Sequence, residues 1–178
     1  TQKLGEAGAA AIVFDILFAE PDRTSPEQVV AAAPRQRRAQ LRRALSTLPS
    51  HDSAFAEALS HHPSVLATSL HEQATSTAFP MHAGWAAAGD EPGQFLPNYP
   101  GLATNLPDLS DAASGAGFIN WLPDGDQVMR RVPLLLRYNG EIAPSLSLEA
   151  LRVAVGASTY VVRASNANGA QAFGAHTG

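Results

Sequence analysis

Apolar residues fall along this chain in runs whose period changes, and each change marks an element boundary. Thr1 to Gly8 reads as a short helical lead-in, followed by Ala9 to Phe18, an apolar run interrupted only by Asp15. Such a run predicts a strand buried on both faces. Glu20-Pro21-Asp22 ends it, and Ser25-Pro26-Glu27-Gln28 carries the start of a helix: a Ser cap, Pro at the first helical position and Gln three residues after the cap. Pro34 interrupts that helix. From Arg35 to Leu48, the three- and four-residue spacing of Leu41, Ala44, Leu45 and Leu48 predicts a second helical stretch closed by Pro49. A third, capped by Asp52, buries Phe55, Ala58 and Leu59 and stops at Pro63. Ser64 to Leu70 is the next strand, and strand, helical crossover and strand together predict a parallel βαβ unit.

Phe79 to Pro107 holds five prolines among Gly, Asn and Ala and reads as a long irregular excursion, a place for a lid or a partner contact. Gly115 to Leu122 and Val128 to Tyr138 predict a hairpin turned by Pro123-Asp124-Gly125-Asp126, with the Gln127 to Tyr138 strand central in the sheet. After the Asn139-Gly140 turn, Ser145 caps a helix carrying Leu146, Leu148, Ala150, Leu151, Val153 and Ala154, with Gly156 beyond its end. Tyr160 to Arg163 is a last short strand, and residues 165–178 read as a flexible tail. There is no internal repeat. The expected fold class is α/β, one domain over residues 1–178 with a mixed β-sheet and helices on both faces.

Composition narrows the function classes. With 45% hydrophobic and 16% charged residues, 178 residues bury enough apolar surface to fold as a globular unit. The formal net charge of −4 argues against nucleic acid as a partner. The absence of cysteine removes disulfides, thiolate nucleophiles and Cys-ligated metals. No apolar stretch approaches the roughly 20 residues of a membrane span. The chain opens at Thr1-Gln2-Lys3 with neither Met nor a signal-peptide pattern, and so is expected to be a piece of something longer.

The segments GAAAIVFDILFAEPD, HDSAFAEAL followed by PSVLATSL, GFINWLPDGDQVMRRVPLLL and PSLSLEALR, in that order, resemble the CHASE2 domain family over about residues 4 to 156. Two features differ from the family's usual pattern: Gly125 lies between Asp124 and Asp126, and a later Gly-rich strand is not found before Gly178. The resemblance implies an α/β sensor on the extracytoplasmic, periplasmic face of the bacterial cytoplasmic membrane. Flanking membrane helices outside this chain would tether it, and a cytoplasmic adenylate cyclase, diguanylate cyclase, histidine kinase or Ser/Thr kinase would be the output. It also implies a small-molecule or environmental signal that the sequence does not name, a homodimer, and no catalysis by the domain itself.

Asp15, Glu20 and Asp22 stand at or just past the carboxyl end of the first strand, where open α/β sheets bind ligands. They suit a cationic or hydroxylated ligand, or a divalent ion; the structural alternative leaves Asp15 hydrogen-bonded to backbone and the other two in solvent. Asn120, Asp124, Arg130 and Arg131 are expected opposite them. Alternation lets only one arginine of the pair face the core side, and an ion pair with the turn carboxylates is the preferred reading. Arg35, Arg37, Arg38, Arg42 and Arg43 form one basic run, read as a solvated helix face, with lipid headgroups the better functional option. The six histidines show no metal-ligand spacing, and no nucleophile elbow or phosphate loop occurs, so no cofactor is expected. Two rival readings stay open: a metal-dependent hydrolase or phosphotransfer enzyme using the three acids, and a structural dimerisation domain without a ligand.

Overall fold

The computed structural model describes residues 1–164, so the tail proposed for residues 165–178 lies outside the described residues. After a short helix α1 (Gln2–Glu6) comes β1 (Ile12–Phe14), and helices α2 (Pro26–Ala32), α3 (Arg35–Leu45) and α4 (His51–Ser60) cross over to β2 (Ser64–His71). β1 and β2 pair in parallel, as the βαβ reading required. β2 also pairs in parallel with β6 (Gly115–Phe118), and its carboxyl-terminal residues pair antiparallel with β5 (Gly101–Ala103). The sheet is mixed and the class is α/β.

Helices cover both faces. Leu66 of β2 points to one side, where Leu59 of α4 and Leu109 of α5 (Pro107–Ala112) meet it, joined by Phe14, Phe18 and Phe55. The three rings lie edge to face at 5.1 to 6.0 Å between centroids, an arrangement favoured by the ring quadrupoles. Val65 and Ala67 point to the other side, in register with Gly115 and Gly117. There α6 (Leu146–Ala154) lies so close that a Cβ on Gly117 would stand 2.6 Å from the Leu146 backbone. Glycine on β6 is therefore the condition for seating α6.

The excursion over 79–107 is partly structured. It holds β3 (Gly84–Ala88), a 3₁₀ turn over Pro92–Phe95, β4 (Asn98–Tyr99) and β5. β3 pairs in parallel with β9 (Thr159–Arg163), and β4 pairs in parallel with β7 (Leu135–Tyr138), whose other neighbour is the antiparallel β8 (Glu141–Pro144). Leu70, Leu102, Phe118, Leu136, Tyr138 and Ala143 form a second core that joins the two mixed sheets.

Three expectations are corrected. The apolar run predicts a first strand of ten residues in the sheet interior; β1 spans three and pairs with β2 alone among the described residues. Beyond it Phe18 turns into the aromatic cluster while Ile16 is exposed, and the chain leaves the sheet as the Phe18 N–H donates to Asn105 Oδ1 at 2.7 Å. The hairpin between Gly115 and Tyr138 does not form. The position beside the end of β6 is taken by Ser145, bridged to Phe118, and residues 119–134 run without strand structure. Finally, the proposed central strand is confined to β7, because Pro133 has no N–H to give a ladder; β7 is central only within β4–β7–β8.

Candidate functional site

A cleft of about 290 Å³ opens at the carboxyl ends of β1 and β6, over the amino end of α6. Asp15 and Asn120 both line it. Asp15 is exposed where β1 gives out, one residue past the last ladder pair, so its carboxylate projects into the cleft mouth without leaving water. Asn120 is differently committed. Its Oδ1 accepts from the Leu70 N–H at 2.7 Å and its Nδ2 donates to the Leu70 carbonyl at 2.6 Å, so the side chain replaces the strand that β6 no longer supplies.

The rest of the cleft is not legible in the sequence. Val13, Trp121 and Val132 form apolar walls, and Ser145 and Ser147 stand at the first turn of α6 with their hydroxyls 3.1 Å apart. Ser145 caps that helix as its position suggests, accepting from the Leu148 N–H at 3.2 Å. The helix start is a local signal; that it faces the end of β1 follows only from the parallel register of three strands. Trp121 is 64% exposed, an unusual amount for a ring of its size. The cleft thus offers one carboxylate, serine hydroxyls and an apolar wall. That set suits a small molecule with a cationic or hydroxylated head and an apolar body.

The other named residues lie elsewhere. Glu20 pairs with Arg23 at 3.3 Å in solvent. Asp22 accepts from the Thr24 hydroxyl and N–H, both at 2.7 Å, and stands 3.2 Å from His51 Nδ1. The Thr24 hydroxyl first, then its N–H and His51, holds the Asp22 carboxyl below its ordinary value. This acid belongs to a junction between two helix starts: buried Ser25, before α2, accepts from the His51 N–H at 3.1 Å, and Ser50, before α4, donates to Glu27 at 2.8 Å. Asp52, expected to cap α4, instead accepts from the Asp22 N–H at 3.0 Å. Among the described residues no three acidic or histidine side chains converge as a metal site would need. The carboxylate triad of the hydrolase reading is therefore not assembled.

Arg130 grips both turn acids, Asp126 at 2.8 Å and Asp124 at 3.0 Å, the ion-pair arrangement preferred from the sequence. Its guanidinium holds the Asp126 carboxyl below the ordinary range, and Asp126 in turn raises Arg130. Arg131 is exposed and makes no ion pair among the described residues.

A charged cluster that periodicity does not reveal lies under α6. Glu149 and Arg152 are both buried and pair at 2.7 Å. Arg152 also donates to the carbonyls of Ser114 at 2.7 Å and Ala157 at 2.8 Å, and the Tyr160 hydroxyl donates to Glu149. Every partner is intramolecular, so the cluster ties β6, α6 and β9 together.

No helix of the described residues is long and apolar enough to cross a membrane. Comparison with curated proteins and with solved structures finds no match. The family model for the CHASE2 domain, by contrast, matches residues 1–174, nearly the whole chain, and the protein belongs to that family of extracytoplasmic sensor domains.

Proposed function

We propose that this domain senses a small molecule in the cleft between β1, β6 and α6, and that it regulates a cytoplasmic adenylate cyclase or kinase output through flanking membrane helices. The observation that carries the reading is Asp15: a free carboxylate at the mouth of an apolar cleft, at the carboxyl ends of the parallel strands β1 and β6, where α/β domains take ligands. A ligand drives a receptor only through a difference in affinity between two states. The cleft supplies such a lever, because its walls come from β1, from the irregular segment 119–134 and from α6. A ligand touching all three biases how they sit against one another, and in a homodimer that bias passes to the partner. Asp22 then holds the junction before α2 and α4, Asp124 and Arg130 hold the turn, and Glu20 and Arg131 stay in solvent.

The test is a thermal-shift screen of cationic and polyhydroxylated metabolites on the wild type and on Asp15→Asn, with sedimentation run alongside. A ligand at a hundred times its Kd stabilises by about 2.7 kcal/mol. We expect at least one such compound to raise the wild-type melting temperature and to lose most of that effect on Asp15→Asn. A dimer that ignores every compound would overturn the sensing site in favour of a purely structural dimerisation domain.

A further inference from the structure

The helix α3, RQRRAQLRRAL, contains five arginines, no acid and no buried residue. Arg35, Arg37, Arg38, Arg42 and Arg43 are all exposed, and among the described residues none of them lies in an ion pair. That is a conspicuous gap in a chain with 16 acidic residues and a net charge of −4. Like charges one turn apart on a helix repel, so the uncompensated run weakens the isolated helix.

The fold nevertheless holds α3 in place. Arg38 turns back and donates to the carbonyls of Ala31 and Ala33, both at 2.9 Å, capping the end of α2 and leaving its charge at the surface. Arg35, Arg38 and Arg42 recur at i, i+3 and i+7 and so form a stripe along one side of the helix. Beside that stripe a shallow groove of about 260 Å³ is walled by Val30, Leu45 and Leu48, with Arg42 at its rim. Leu48 is 55% exposed. Glu27 also borders the groove, with its carboxylate engaged by the Ser50 hydroxyl.

We infer that α3 docks on an anionic phospholipid surface, its guanidinium groups on lipid phosphates and Leu45 and Leu48 at the boundary of the acyl region. Guanidinium matches phosphate bidentately. The neighbouring apolar groove is what a lipid surface, unlike a free phosphate, would use. Nucleic acid fits less well, since α3 has no aromatic residue on which a base stacks.

The experiment is co-sedimentation of the chain with phosphatidylcholine vesicles and with vesicles holding a third phosphatidylglycerol. Each arginine at an anionic surface contributes roughly fivefold in affinity. The variant Arg35→Gln/Arg42→Gln/Arg43→Gln, which spares Arg38, is therefore expected to bind the anionic vesicles about a hundredfold more weakly, with unchanged circular dichroism. Lys3→Gln/Arg23→Gln/Arg131→Gln removes the same charge elsewhere and is expected to bind as the wild type does. Half-molar salt should release the protein. No binding to the anionic vesicles, equal loss in both triple variants, or tighter binding to a short DNA duplex than to the vesicles would each overturn the assignment.

Discussion

Glu149 and Gly115 face each other so closely that a Cβ on residue 115 would stand 2.2 Å from Glu149 Oε1. The glycine has no conformational duty there; it makes room for a buried carboxylate. Gly115→Ala must push Glu149 off its partners or push α6 off the sheet, and overpacking of this kind costs about 1–3 kcal/mol. Gly125, where an added methyl would meet nothing within 4 Å, is the control, and its alanine variant should stay within about 0.5 kcal/mol of wild type. Urea midpoints of the two variants check the contrast, and equal midpoints would show that α6 yields freely.

The pair beneath that glycine has side chains only 1% and 8% exposed, Glu149 and Arg152 respectively. Removing one member leaves the other charged and unpaired in the interior, which costs about 3–5 kcal/mol, whereas replacing both by apolar groups of similar size is often close to neutral. Glu149→Gln and Arg152→Met should each be strongly destabilised. The double variant Glu149→Leu/Arg152→Met is expected to lie nearer the wild type than either single variant does. A double-mutant cycle by chemical denaturation measures the coupling. Additive losses would mean that Arg152 matters through its bonds to Ser114 and Ala157 alone.

Two asparagines finish the sheet where strands stop. Asn105, 4% exposed, accepts from the Phe18 N–H and donates to the Ala67 carbonyl at 2.8 Å; Asn120 does the same for both polar groups of Leu70. Losing either amide leaves buried backbone groups unpaired, at about 1–3 kcal/mol. Asn105→Ala and Asn120→Ala should therefore lower stability by that amount, while the exposed Asp15→Asn stays within about 0.5 kcal/mol. Thermal and urea unfolding of the three variants separate the residue offered for ligand contact from the one that holds the wall.

What is readable in the sequence follows from what periodicity encodes. The short strand at Ile12–Phe14, the Pro26 and Ser145 helix starts and the parallel crossover are legible because burial, a proline at the first helical position and a serine cap act over a few residues; the Ser25 cap is not made, its hydroxyl accepting from the His51 N–H instead. Arg130 is legible as a partner of the turn acids for the same reason. The partner of β6 is not, since alternation describes a strand's faces and says nothing about which strand lies beside it. Nor is the Glu149–Arg152 pair: charged residues are assigned to water by default, and the apolar Leu151 suggests itself as the inward residue, yet it is 60% exposed. Only Gly115 and Gly117, spaced to face one side, hint that something large sits over β6.

The phenol of Tyr160 couples that buried pair to pH. Burial first, then the hydrogen bond to Glu149, raises its pKa well above the ordinary 10.0, with Arg152 opposing. A group whose folded pKa is raised stabilises the fold fully below its unfolded value and loses that contribution as pH rises through the folded one. Alkaline unfolding should therefore begin above pH 10 and be blunted in Tyr160→Phe, which gives up the hydrogen bond at every pH, at about 1 kcal/mol. The acid limb has the opposite sign. Asp22 and Asp126 are held below 3.8, so their contribution is present above that value and fades as pH falls past it. Asp126 is exposed and Asp22 half-buried with its side chain open to solvent, which keeps this limb shallow and salt-sensitive. The chain has three tyrosines, so the difference in 295 nm absorbance between the wild type and Tyr160→Phe during alkaline titration isolates this phenol: a difference that titrates near pH 10 with the fold intact would place Tyr160 outside the Glu149 network.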